Sequence, residues 1–367
     1  MKQKAKLLIM VGVEFVAVVL ILLLVFFAGE KSYTVTFDLN GGTLISGDLE
    51  QRVTRGHNAN PPHVVKEGCY LLRWSGSYNS VTRDVSVYAV WEYETTNGIE
   101  YQAPSNSNYA SISGSFSDIK GEVYIGAYYS GKILLSIKDK AFYGRDRITG
   151  MHLLDGIVTI GESVFENCTS MVRMDMPSTV LELGNYAFRG CESLESITLP
   201  EGIEYIGEEA FAGCKSLKEI VIPKSVKYIG AGAFDGCKSL EKIVIEGSFE
   251  QIYDYTFRGC ESVAEIEIPA NVKIIGSNSF SGCKKLEKLT LNNGLKSIGN
   301  NAFAGAELLK EVVIPATISY IGSSAFDTPD MIVRVPVNES GIVIGEYAKG
   351  WCSIEVIVEE YKYETEE

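Results

Sequence analysis

From Ile137 to Phe326 the apolar positions of this chain follow one period. Phenylalanine occupies positions 142, 165, 188, 211, 234, 257, 280, 303 and 326, a spacing of 23 held without a slip. Five residues before each Phe stands an aliphatic residue: Ile137, Ile160, Leu183, Ile206, Ile229, Ile252, Ile275, Ile298 and Ile321. Three residues after it, six successive units carry Cys168, Cys191, Cys214, Cys237, Cys260 and Cys283. Each unit then continues as Leu194, Ile197, Leu199, Pro200, repeated as Leu217, Ile220, Ile222, Pro223. A fixed period in the range of roughly 20–29 residues predicts a solenoid, in which every unit supplies a short strand and buries its apolar positions against its neighbours. The Phe column must then be an internal stack, and successive coils should advance by about 4.8 Å, the spacing of hydrogen-bonded strands.

The run Ile206-Gly-Glu-Glu-Ala-Phe211-Ala-Gly-Cys214-Lys-Ser-Leu217-Lys-Glu-Ile220-Val-Ile222-Pro223 closely resembles the BspA-type leucine-rich repeat, a class found on the surfaces of bacteria and some protozoa. The resemblance extends from near Gly121 to Trp351 and implies a mainly β leucine-rich-repeat solenoid over residues 119–352. Two coils depart from it, with Tyr253 in place of Gly and Ala306 in place of Cys, and both should differ locally. Beyond Phe326, Thr328-Pro-Asp breaks the register, and Val335-Pro, Tyr347 and Trp351 are similar to the family's C-terminal cap. Residues 353–367 read as a final strand and an acidic tail.

A different alternation marks residues 33–93. Tyr33-Thr-Val-Thr-Phe37 and Val85-Ser-Val-Tyr-Ala-Val-Trp91 alternate with period two, as half-buried strands do. Asp38-Leu-Asn40-Gly41-Gly42 offers a turn at positive φ, and Asn60-Pro-Pro and Glu67-Gly68 mark further breaks. Val35, Phe37, Asp38, Asn40, Gly41, Gly42, Gly68, Trp74, Val87, Tyr88, Ala89 and Trp91 together resemble the Listeria-Bacteroides repeat, or internalin B-repeat, a small β-rich module of surface proteins. Cys69-Tyr70 departs from that pattern, which has an aromatic directly after the Gly. In so small a unit Trp74 and Trp91 are expected to build the core. Residues 94–118, rich in Ser, Asn and Gly, read as a linker or an irregular approach to the solenoid.

Leu7 to Phe27 is apolar except for Gly12 and Glu14, and 21 helical residues at about 1.5 Å each span roughly the 30 Å hydrocarbon core. Lys2, Lys4 and Lys6, in the basic stub 1–6, would stay in the cytoplasm and place the rest of the chain outside. Residues 7–27 are therefore expected to be a single-pass signal anchor, with Glu14 a possible contact to another membrane helix. The rival is a cleaved leader, which would make the protein secreted. The segment is longer than a usual leader core, and cleavage after Ala28 would put bulky Phe26 where a small residue is preferred.

Composition narrows the function. The net charge of −14 and the excess of 47 Asp plus Glu over 33 Lys plus Arg oppose phosphate binding, so nucleic acid is not an expected partner. The cysteine column reads as small buried residues, and no C-x-x-C pair supports zinc. No metal or cofactor is expected. His57, His63 and His152 stand apart, with no H-E-x-x-H, G-x-S-x-G or Walker loop, and no enzymatic activity is expected.

The strand residues that face outward form columns. Glu195, Lys218, Glu241, Ala264, Glu287, Lys310 and, beside them, Ser196, Glu219, Lys242, Glu265, Lys288, Glu311 bring opposite charges onto successive rungs. A third column along the centre of the same face, Asp175, Thr198, Val221, Val244, Glu267, Thr290 and Val313, is the candidate partner-binding surface, with Val221 and Val244 as its apolar patch. The expectation is a membrane-anchored cell-surface protein whose solenoid serves adhesion to, or recognition of, an extracellular protein or matrix component. The alternatives are a structural or glycan-contacting envelope protein, and a scaffold for a membrane partner met through Glu14.

Overall fold

A computed structural model describes residues 31–66, 69–93, 95–328, 331–338, 341–342 and 357–361. The expected anchor at 7–27, its basic stub, and Tyr347 and Trp351 of the expected cap lie outside the described residues. Among the described residues the chain is mainly β and no helix is long and apolar enough to cross a membrane. The chain divides into two compact units, Met1–Glu92 and Tyr93–Glu367.

In the first unit, Ser32–Asp38 pairs antiparallel with Glu50–Thr54 and parallel with Val85–Tyr93, and Cys69–Trp74 completes a four-stranded sheet. Phe37 and Trp74 meet edge to face at 4.9 Å and are buried with Val35, Val87, Ala89 and Trp91. The Asn-Gly-Gly turn is tied to this core. Asn40 and Gly41 take positive φ, and Trp91 donates its indole N–H to the carbonyls of Leu39 and Asn40. A Cβ on Gly42 would lie 2.2 Å from the Trp91 ring, so the second glycine makes room for the tryptophan.

In the second unit each 23-residue coil adds rungs to two parallel ladders rather than to one. The longer strands, such as Arg173–Asp175, Glu219–Ile222 and Glu265–Glu267, follow one another as the first ladder, whose pairing breaks after Ser196–Ile197, Lys242–Ile245 and Lys288–Thr290. Two-residue strands at the aliphatic column, from Thr159–Ile160 to Tyr320–Ile321, form the second. All nine Phe side chains are fully buried and stack at centroid spacings from 5.1 to 5.4 Å.

The second ladder depends on a glycine column. Gly207 donates its N–H to Leu183 of the preceding coil at 2.9 Å, and Gly230 does the same to Ile206 at 2.8 Å. An added Cβ at these two positions would sit 2.5 and 2.3 Å from backbone atoms of the coil before. Tyr253 cannot approach that closely. The matching hydrogen bond to Ile229 is absent, and the second ladder ends at Tyr228–Ile229 before resuming at Gln251–Ile252.

The six cysteines of the column are buried and form no disulfide. Each donates its thiol to the carbonyl of the Phe one coil earlier, from Cys191 to Phe165 at 3.1 Å through Cys283 to Phe257 at 3.5 Å. This is why a small residue with a weak donor suits the column. Burial pushes the Cys168 and Cys283 thiols up to about 12, which suppresses the reactive thiolate.

Residues 95–118, expected as a linker or an irregular approach to the solenoid, carry two strands of it. Ile99–Gln102 and Tyr109–Ser115 pair antiparallel, and the latter runs parallel to Lys132–Ile137, opening the second ladder. Its serines read as loop, but Ala110 and Ile112 face the core and Ser115 donates its hydroxyl to Ala141 at 2.8 Å. Polar side chains small enough to be satisfied by the next coil thus build the leading rung. At the other end, Ile332–Asn338 pairs parallel with both Glu311–Val313 and Ile357–Tyr361.

Every coil also requires a left-handed residue two positions before its Phe, a conformation that suits Gly and Asn. Gly232, Asn278 and Asn301 meet the need, whereas Lys140 occupies it at φ 61°. Lys140→Asn is expected to raise the thermal midpoint by about 2 °C, a gain of roughly 0.5–1 kcal/mol. A lowered midpoint in a calorimetric scan would show that Lys140 is not strained there.

Candidate partner-binding face

The first ladder presents its alternate residues to solvent. Ile220 and Ile222 point inward, so Glu219 and Val221 between and beside them must point outward. The same alternation exposes Asp175, Thr198, Glu267, Thr290 and Val313. Register places Val221 opposite Val244, and Glu267 opposite Thr290. Val221 is 44% exposed and Val313 41%, while Val244 is half-buried.

The charged columns beside it form some of the expected pairs. Lys218 meets Glu195 at 2.8 Å, and Lys288 meets Glu265 at 3.4 Å. The hydrogen bond from Lys218, with its charge, holds the Glu195 carboxyl below the usual carboxylate range. More ladders lie where the outward strand columns gave no hint of them, on the turns: Lys215 with Glu192, Lys227 with Glu204, and Lys238 and Lys284 both on Glu261. All are exposed pairs whose energetic worth is small, so they hold register and solubility more than stability.

One cluster at the N-terminal end of the strip escaped the reading of sequence columns. His152 lies between two carboxylates, with Nδ1 at 2.6 Å from Asp175 and Nε2 at 2.7 Å from Glu122. Its ring stacks on Tyr124 at 4.4 Å, and Arg173 reaches Glu122 at 3.3 Å. Each ring nitrogen of His152 thus faces a carboxylate oxygen. Burial opposes ionisation of Glu122, but the hydrogen bonds from His152 and Arg173 and the Arg173 charge outweigh it and hold the carboxyl below its ordinary value. Asp175 is therefore engaged within the fold, and the freely available part of the strip begins at Thr198. The repeat period links His152 to Asp175, 23 residues on, but nothing in linear spacing points to Glu122. Among the described residues, no group of three or more His, Cys, Asp or Glu is placed to hold a metal ion.

The BspA-type leucine-rich-repeat family model matches the chain over residues 135–264 and 250–362. Among solved structures, a leucine-rich repeat protein from Bacteroides ovatus ATCC 8483 is 31% identical with a TM-score of 0.60, covering 67% of this chain and 66% of that one. The chain thus spans just under two thirds of that protein. The leucine-rich repeat protein TpLRR of T. pallidum is 28% identical, with a TM-score of 0.48, covering 52% of this chain and 89% of that one. The pneumococcal vaccine antigen PcpA is 18% identical, with a TM-score of 0.42, covering 67% of this chain and 82% of that one. No curated protein matches. The unbroken Phe stack, the glycine and cysteine columns and a family match over more than half its length show that this chain belongs to the BspA-type leucine-rich-repeat family.

Proposed function

We propose that the solenoid's outward strand face recognises another protein, an extracellular protein or matrix component, in adhesion at a cell surface. The observation that carries this reading is the strip itself. Three exposed or half-exposed valines, Val221, Val244 and Val313, stand in a column bordered by charges. An apolar centre with a charged rim is the composition of a recognition surface, and a core-building column would be buried instead. Residues 7–27 would tether this face to a membrane with the N-terminus inside, and the first unit would act as a B-repeat-like spacer. Both rest on sequence pattern.

The double variant Val221→Asp with Val244→Asp tests the strip. Cells displaying the full chain are expected to lose adhesion to surfaces coated with matrix proteins, while a thermal scan shows the variant folded. Undiminished adhesion would sink the strip as the contact surface.

A further inference from the structure

We infer that a second copy of this chain covers an apolar patch on the outer face of the second ladder, centred on Val158, with the two solenoids running in opposite directions about a two-fold axis. The patch is separate from the recognition strip, and the pairing does not depend on that strip.

Two positions before the aliphatic column of the second ladder, the first three rungs carry Leu135, Val158 and Leu181. The same column then turns polar, as Glu204, Lys227, Glu250, Lys273, Lys296 and Ser319. Val158 donates its N–H to Leu135 at 2.8 Å and Leu181 to Val158 at 2.9 Å, which sets the three apolar residues on successive rungs. Leu135 and Leu181 are exposed, and Val158 is half-buried. Beside them Ile133 lies in register with Tyr109 on one strand and Tyr128 on another, and all three are exposed.

The later rungs of this column are adapted to water, since Lys227 meets Glu204 at 2.7 Å and Lys273 pairs with Glu250. The first three rungs bring no charge to the column. In a chain of net charge −14, this is a place where two copies touch without like charges at the centre of the contact. The six side chains offer roughly 400 Å² of apolar surface, the size of the largest patches on monomeric proteins. A standard interface buries about 800 Å² on each partner, so a polar rim must supply the rest.

The rim selects the direction. Solenoids running the same way would set Glu204 and Lys227 each against its own copy, a repulsive arrangement. Reversed about Val158, Leu135 meets Leu181 of the other copy, and the coil of Lys138 meets the coil of Glu182. Glu182 is in register with Thr159 and, through it, with Ser136, two residues before Lys138. Lys138 and Glu182 are both exposed, and neither joins an ion pair among the described residues. Symmetry then provides this opposite-charge contact twice, and an apolar centre with a self-complementary rim is what an isologous interface requires. The cost is Asp155, which approaches its own copy, but its carboxylate already accepts from the N–H and hydroxyl of Ser178.

The test uses cells co-displaying two differently tagged full-length chains, one with Leu135→Cys and one with Leu181→Cys, and a short bismaleimide. Packed sheets lie about 10 Å apart, within the span of such a linker. The cysteine column is buried, and the wild-type chain supplies the background. The mixed pair should cross-link about fivefold more than either variant does with itself, because only opposed residues stay within reach. Lys138→Glu in both chains should lower the mixed product by about half or more, and adding Glu182→Lys to the same chains should restore it. Mixed cross-linking no greater than self-cross-linking, a failure of the reversed charge pair to restore it, or adducts formed chiefly with a different protein would each overturn the proposal.

Discussion

Phe211→Ala is expected to destabilise the solenoid by about 3–5 kcal/mol, the range for emptying a fully buried aromatic site. Phe211 lies 5.3 Å from Phe188 and 5.2 Å from Phe234 in near-parallel planes, with no exposure to solvent. Each coil contacts only its neighbours, so a cavity in the middle of the stack weakens the coupling between the coils on either side. Guanidinium unfolding should show an earlier transition, and a broadened or split one if the halves separate. A loss below about 1 kcal/mol would mean that the turns collapse onto the cavity and that the stack is not what holds the coils together.

Gly207→Ala is the second large effect. The new methyl would lie 2.5 Å from Asn185 N and from the carbonyl carbon of Gly184, both backbone, so no flexible side chain can move aside. A loss of about 2–4 kcal/mol is expected, as in overpacked sites where the backbone itself must shift. The chain contains the converse case. Tyr253→Gly should let that coil close onto its neighbour and form the missing bond to Ile229. Hydrogen exchange at residue 253 is then expected to slow toward that of Gly230. Unchanged exchange would show that Tyr253 is not what interrupts the second ladder.

These two variants mark how far sequence reading reached. The solenoid was legible because its core is a repeated chemical necessity: a period of 23 with Phe, Ile and Cys in fixed places permits one stacked arrangement of coils. The departure at Tyr253 was legible as a departure. Its consequence was not, because it depends on a close backbone approach that glycine allows in every neighbouring coil that carries it. The serine-rich stretch ahead of the solenoid misled for a related reason. Composition marks it as loop, yet Ser115 finds its acceptor on Ala141, 26 residues later in the chain.

The strip of Asp175, Thr198, Val221, Val244, Glu267, Thr290 and Val313 follows from strand alternation, and all are exposed except Val244, which is half-buried. What alternation could not distinguish is their circumstances. Asp175 is held by His152, Val244 is half-buried, and Val221 stands exposed.

By itself, then, the sequence determined the class of fold, the identity of the inward columns and the face left outward, because those depend on periodicity and on hiding apolar surface from water. The tertiary structure alone decided where adjacent coils part, which outward charges are paired, and that His152 is clamped between Glu122 and Asp175. Those outcomes turn on distances of a few ångströms between residues of different coils, set in the second ladder by the bulk of Tyr253 and by the absence of a Cβ at the glycines that stand at its position in neighbouring coils. A repeat period carries no information about such distances.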